Sequence, residues 1–541
     1  MTIVKSIPPV EAQAFRGSAI RRSRFIAGIV ILITTGWIAF IWSYRFLPMH
    51  DYPMWIYVGH VFSQLIRHQA PSGFSIVPWP VPDTLFVGTT GLLDLFLPPE
   101  VSGKIWLTLV VGMFALGSYR LVGSLSARRD SPWLLLPLLF VFHRNFWIGE
   151  VAFAFSLGVL FFCLSLVLSP KNSWRGRDLW LIAGLSILLF YSHAIAYLCW
   201  LIVLALLVLL ESRRTPRIKV LLAVFPSLLL TAIYLLTRRP RPVAGAVASW
   251  FDFDAKAKLG RALSVLSPIH FFDPFYGSDP RSLKVLAIAF NLATILLGLL
   301  LVALWFRNLL RRPFWALELK YGARAMAIAP LVCFLAFLFA PFLAAFGAHD
   351  MNERFILPAF IFMLASLSSS TGYALPERAE WSLTLLAAAA VSFVLGFHCF
   401  YVGSVAHKLQ GAYDAALQAH LNADFRDLGE NQFETFRLTP SDSEGSRLLP
   451  VHDAFGFFAD YLRLAEPASA PIIQTSIVAT SAQYHPLLDK YNQLTQFPSA
   501  IVIFGTQSHN HAVAALMADR YRMTVDAEYV SVLQPKADVS H

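Results

Sequence analysis

Apolar runs of about 20 residues, each long enough to cross a hydrocarbon core roughly 30 Å thick, recur along this chain as far as residue 402. A water-soluble domain cannot hide so many of them, because its helices keep a polar face toward solvent. Hydrophobic residues make up 57% of the 541 and charged residues only 14%, where a soluble globular chain carries about 25% charged residues. The sequence therefore predicts a polytopic α-helical membrane protein. The runs fall at 25–47, 103–124, 132–147, 150–169, 178–193, 194–211, 218–237, 284–306, 325–346, 355–372 and 381–402, about 11 transmembrane helices. A further run at 84–97 contains Asp94 and is bounded by Pro82, Pro98 and Pro99. Its length suits an interfacial or re-entrant helix rather than a span.

Charge sets the orientation. Residues 403–541 hold 9 Lys and Arg against 15 Asp and Glu, which leaves a net +16 on residues 1–402. With eleven crossings, the loops "SARRD" (126–130), "PKNSWRGR" (170–177), "ESRRTPRIK" (211–219), "RNLLRRPFWALELKYGAR" (307–324) and "PERAE" (376–380) share one side with residues 1–24. That side collects the basic residues, as the cytoplasmic face of a membrane protein does. Counting 84–97 as a span would put four of these loops outside. The expected topology is N-in and C-out, with Arg21, Arg22 and Arg24 ahead of a retained signal anchor. The net charge of +10 is thus a topology signal, and no nucleic-acid partner is expected. Cys163, Cys199, Cys333 and Cys399 all fall inside apolar runs, with neither a disulfide framework nor a metal-ligand spacing.

Three regions follow. Residues 1–24 form a cytoplasmic segment, and 25–402 a transmembrane domain with outer loops at 48–102 and 238–283. Residues 403–541 read as a small soluble α/β domain on the outer face. Within it, 403–421 is an amphipathic helix, "APIIQTSIVAT" (470–480), "SAIVIFG" (499–505) and "AEYVSVLQ" (527–534) are strands, and "HAVAALMADRYR" (511–522) has helical spacing.

Five polar clusters fall on the outer face: "MHDYP" (49–53), "FHRNFWIGE" (142–150), "YSHAIAY" (191–197), "HFFDPFYGSDPR" (270–281) and "GAHDMNERF" (347–355). Ionisable groups converging at one membrane face mark a functional site. Asp51 is the candidate general base, with His50 beside it to orient it or share its proton. Asp51 is also well placed as the N-cap of a helix, with Pro53 just inside it. The stretch 51–68 spaces Trp55, Val58, Phe62 and Leu65 at helical intervals, an amphipathic lid or floor. Arg354 and Arg144 are candidate phosphate ligands, because a guanidinium matches a phosphate with two parallel bonds. His349 and His193 accompany them, and Glu150 is a possible partner for Arg144. Asp273 and Asp279 are candidates for an acceptor loop or a divalent ion.

The blocks "HRNFWIGEVAFAFSLGVLFF" (143–162), "LLFYSHAIAYLCWLIVL" (188–204) and "DMNERFILPAFIFMLAS" (350–366), with an acidic residue opening the first long outer loop and a soluble outer tail, resemble the GT-C superfamily of multispanning glycosyltransferases. The likeness is one of pattern and position over most of residues 20–400. It implies a bacterial inner-membrane transferase working on the periplasmic side, where nucleotide sugars are absent and the donor must be a polyprenyl-phosphate-linked sugar. The acceptor would be an envelope glycan, lipid or protein, with membrane lipids around it. In this reading Asp51 is the base and Arg354, with Arg144 or His349, stabilises the phosphate. The first loop carries His50-Asp51 where better-known members carry an Asp-Glu or Asp-x-Asp pair, so the need for a divalent cation stays open. Two other classes fit a polytopic chain: a transporter or flippase of a lipid-linked substrate, and a non-catalytic envelope-assembly partner.

Overall fold

The computed structural model describes residues 9–70, 74–78, 80–126, 131–168, 176–210, 214–237, 255–273, 275–311, 322–339, 351–369, 377–422, 433–437, 449–454, 461, 464, 478–480 and 500–536. The helices are α1 (Pro9–Ser43), α2 (Tyr52–Ile66), α3 (Leu85–Leu93), α4 (Pro99–Leu125), α5 (Arg144–Ile148), α6 (Val151–Leu168), α7 (Gly176–Ser192) and α8 (Ala194–Leu210). They continue with α9 (Arg214–Thr237), α10 (Ala255–Val265), α11 (Arg281–Arg311), α12 (Ala323–Phe339), α13 (Ile356–Ser368), α14 (Glu377–Phe397), α15 (Gly403–Asn422) and α16 (Gln507–Leu516). Among the described residues, six helices are long and apolar enough to cross a membrane: Ile20–Ser43, Pro99–Leu125, Val151–Leu168, Ile218–Thr237, Arg281–Leu310 and Arg378–Gln418. Ala194–Leu210 and Ala323–Leu338 are shorter apolar helices. The chain is thus a polytopic α-helical protein.

The bundle is built around α6, which is apolar on every side and buried on almost every side. Its closest neighbour is α4. A Cβ on Gly117 would strike the Gly158 carbonyl, and one on Gly158 would lie 2.6 Å from Phe114 N. Two glycines therefore let the backbones touch, as small residues do between helices in lipid. Helices α9 and α11 are peripheral, with Leu222, Leu236, Leu296 and Leu299 exposed, the composition of a lipid-facing surface. At the basic end, buried Arg22 pairs with Glu380 at 2.6 Å and ties α1 to α14.

One expectation needs correction. The run 132–147 is not one helix: it forms 3₁₀ turns at Pro132–Leu134 and Leu136–Phe140, then α5. Pro132 and Pro137 each lack an N–H to donate. The run 84–97, expected to be too short to span, forms the nine-residue helix α3, packed on α2. α14 passes through a π-helical turn at His398–Val402 straight into α15.

The eight strands tie the C-terminal part to the bundle's loops. They are β1 (Phe74–Ile76), β2 (Phe271–Asp273), β3 (Phe433–Arg437), β4 (Val451–Asp453), β5 (Val478–Thr480), β6 (Ala500–Phe504), β7 (Tyr521–Ala527) and β8 (Val530–Pro535). β1 pairs antiparallel with β5 and β2 pairs parallel with β4, so the stretches 48–102 and 238–283 are each joined to a C-terminal segment. The remaining strands form one sheet in the order β3-β6-β8-β7. Alternation along β6 buries Ile501 and Ile503 under Val513 of α16 and Met517 just past its end, while Val502 and Phe504 join the core cluster of the bundle. Across that junction Phe275 meets Tyr529 with ring centroids 4.8 Å apart.

Candidate active site

The segment 144–150 organises the outer polar residues. α5 is a short turn of helix that ends at Gly149, in the left-handed region at φ 96°. A side chain there would collide with Tyr52 N and lie 2.7 Å from Asp51 N, so only glycine lets the first loop approach this closely. The loop is bonded to the turn along its backbone: His50 N–H donates to Trp147 O at 3.0 Å and Asp51 N–H to Ile148 O at 2.7 Å. Asp51 does occupy the N-cap position of α2, with Pro53 inside the helix, but its carboxylate caps nothing. It pairs instead with His50 Nδ1. α2 itself is buried along much of its length against α3 and α4.

The arginines form a crossed double ion pair. Arg144 and Glu150, on the 144–150 segment, are held by Glu353 and Arg354, adjacent in a 3₁₀ turn at Met351–Phe355. The expected Arg144–Glu150 pairing is therefore not formed. Arg144 takes Glu353 through Nη1. Glu150, turned away by Gly149, receives two bonds from Arg354, that from Nε at 2.9 Å, and a third from Asn145 Nδ2 at 2.7 Å. Arg354 Nη1 donates to His193 Nε2 at 3.0 Å, and its guanidinium carbon lies 5.9 Å from the Phe153 ring centroid. Each of Arg354's three nitrogens thus has a partner within the protein.

Asp83 belongs to this cluster and was not singled out from the sequence. It lies between Pro82 and α3 at φ 64°, a left-handed conformation uncommon for a non-glycine residue and concentrated at functional sites. One carboxylate oxygen accepts the Ala194 N–H at 2.8 Å, next to His193. Burial raises its pKa to about 6, with Glu150 adding to the rise and the Ala194 bond and the Arg354 charge opposing it. Its only sequence signal is a Pro-Asp step before an apolar helix, which reads as turn chemistry.

Other candidates end elsewhere. His349 lies outside the described residues. Asp273 sits on β2, where its carbonyl accepts the Ala454 N–H at 3.0 Å. Asp279 is half-buried beside Tyr401, Lys284 and Lys408; burial raises its pKa while those three groups oppose the rise. Among the described residues no group of three or more His, Cys, Asp or Glu side chains is arranged to hold a metal ion, so Asp273 and Asp279 do not form such a set. Two histidines that the sequence left unassigned do meet: His270 Nδ1 and His452 Nε2 are 2.9 Å apart.

Two solved structures are similar to the chain. ArnT from Cupriavidus metallidurans, solved with undecaprenyl phosphate bound, matches at 11% identity over 96% of this chain and 99% of its own, with a TM-score of 0.46. The arabinofuranosyltransferase AftD from Mycobacteria matches at 12% identity over 95% of this chain and 40% of its own, again with a TM-score of 0.46. Likeness at this level assigns neither a family nor an activity. No family model matches the sequence, and no curated protein matches it.

Proposed function

We propose that this chain is a membrane glycosyltransferase of the GT-C type, moving a hexosyl or pentosyl group from a polyprenyl-phosphate donor to an acceptor hydroxyl. The observation that carries this reading is the convergence on residues 144–150 of a His–Asp pair and two Arg–Glu pairs, one of them beside a carboxylate that titrates at about 6. Acid–base groups and guanidinium groups side by side at the end of an apolar bundle suit a substrate with a phosphate head and a hydrocarbon tail.

In this mechanism the acceptor oxygen attacks the anomeric carbon while the bond from that carbon to the phosphate oxygen breaks. The polyprenyl phosphate leaves with the electron pair, and the configuration inverts. The acceptor proton passes to Asp51, oriented by His50, with Asp83 as the second carboxylate of the site. Arg144 is the better phosphate ligand of the two arginines. Among the described residues it bonds Glu353 through one nitrogen only, whereas Arg354 is consumed by Glu150 and His193. Arg354 then acts by fixing Glu150 and neutralising Asp83. The reading includes about 11 crossings with N-in, C-out topology and a periplasmic site in a bacterial inner membrane. An envelope glycan, lipid or protein is the acceptor.

The test uses cells lacking the protein, complemented with wild type, Asp51→Asn or Asp83→Asn at matched membrane levels. Mass spectrometry compares their polyprenyl-linked sugars and envelope glycans. The expected result is that one envelope sugar disappears, its lipid-linked donor accumulates, and only wild type restores both. If both variants restore full transfer, neither carboxylate is the base and the mechanism is wrong.

A further inference from the structure

The strand pair β2–β4 brings two buried histidines together from positions 182 residues apart in sequence. His270 precedes β2 in the outer loop, and His452 lies on β4 in the C-terminal part. Their rings are stacked obliquely with centroids 5.0 Å apart, and the Nδ1···Nε2 separation of 2.9 Å is that of an N–H···N bond. The backbone fixes the same junction. Phe271 N–H donates to Pro450 O at 2.9 Å, Ala454 N–H to Asp273 O at 3.0 Å, and Phe272 stands opposite His452. From there the contact runs into the site: the Phe272 ring meets Trp147 at 5.2 Å, and the Trp147 carbonyl holds the His50 N–H.

We propose that His452 is a positioning residue of the active site, and that its bond to His270 latches the C-terminal segment onto the outer loop so that Trp147 holds the His50–Asp51 pair in place. The inference rests on the transferase reading above and goes beyond it by giving the C-terminal segment a part in the site. The groups facing the latch are Arg144 and His143 from α5 and its start, His398 and Tyr401 from the turn after α14, and His50 from the first loop. Burial, reinforced for His270 by His452, His398, His143 and Arg144 and for His452 by Arg144 and His50, holds both imidazoles well below their ordinary pKa. The sign follows. In the docked state both rings are neutral, whereas on detachment His452 and the uncovered His270 protonate near the ordinary value of about 6.5. Docking is therefore complete above that pH and is lost as the pH falls below it.

Two measurements on the full-length protein in nanodiscs test this. Hydrogen exchange of residues 449–454, corrected for the intrinsic pH dependence, is compared at pH 7.5 and 5.5. Protection in the wild type should drop at least tenfold at pH 5.5. In His452→Gln the drop should be smaller, because the amide reaches the Nε2 position and accepts from His270 without itself titrating. Turnover at pH 7.5 is measured with the polyprenyl-linked lipid extract of cells lacking the protein. It should fall at least tenfold in His452→Ala and return to within about twofold of wild type in His452→Gln. Equal turnover in His452→Ala and wild type overturns the inference and leaves the transferase reading intact, as does pH-independent exchange in the wild type. Absence of any wild-type transfer from that extract overturns the transferase reading instead, and the positioning role with it.

Discussion

Gly149 sits at φ 96° with the backbone of Asp51 and Tyr52 against its α-carbon, so Gly149→Ala imposes both backbone strain and a collision. The expected cost is about 1–3 kcal/mol of stability, read by thermal unfolding in detergent, together with a loss of turnover as the first loop is pushed off. Unchanged stability and turnover would mean that the loop has room to move. The Arg354–Glu150 pair is mostly buried, with 12% and 16% of the side chains exposed, and removing one partner strands the other charge. Arg354→Ala should cost roughly 3–5 kcal/mol, and Arg354→Ala with Glu150→Ala less than the sum of the singles. Additivity in that double-mutant cycle would argue that the two side chains do not interact. Asp83 makes the third prediction. A carboxylate with its pKa raised to about 6 is ionised, and able to balance Arg354 beside the base, above that pH. Turnover should therefore fall as the pH drops through about 6, and Asp83→Asn should be slow at every pH. The profile is best taken in His452→Gln, whose latch has one titrating ring fewer.

Among the elements, α4 and α6 decide the bundle. Their backbones meet at Gly117 and Gly158, so any larger side chain must separate two helices rather than displace a side chain. Gly158→Leu is expected to cost at least the roughly 1–3 kcal/mol of ordinary overpacking, and to reduce the folded fraction extracted from membranes as judged by size-exclusion chromatography. A monodisperse variant at wild-type yield would show that the contact is dispensable. The 3₁₀ turns at Pro132–Leu134 and Leu136–Phe140, followed by α5, are a second case. A continuous helix in their place would carry residues 144–150 on past the bundle instead of turning them back over it at Gly149.

For the molecule as a whole, the C-terminal part and the bundle share one hydrophobic cluster. Strands β1 and β2 pair with strands that follow residue 422. Truncation after Asn422 should leave the bundle in the membrane fraction, because all six long apolar helices lie before that point. It should nonetheless abolish transfer, since β1 and β2 lose their partners. Full activity from the truncated protein would make the C-terminal part an appendage.

Much of this was legible in the sequence by itself. Hydropathy and charge bias are sums over some 20 neighbouring residues weighed against the membrane, so the polytopic class, the short α3 and the helix over Gly403–Asn422 follow from local composition. His50-Asp51, Arg144, His193 and Arg354 stood out because ionisable groups beside apolar runs are costly to keep there. Short segments were harder: 511–522 reads as helix throughout, but α16 ends at Leu516 and Tyr521 opens β7, whose pairing with β8 outweighs local spacing. The choice of partners was not legible at all. Arg144 meets Glu353 at a separation of 209 residues rather than Glu150 at six, and Asp83 joins the site only because α8 begins beside it. Local composition carries no record of which loop ends the packing of distant helices will bring together; only the tertiary structure decides that, through contacts such as Gly117 on Gly158 and β2 on β4.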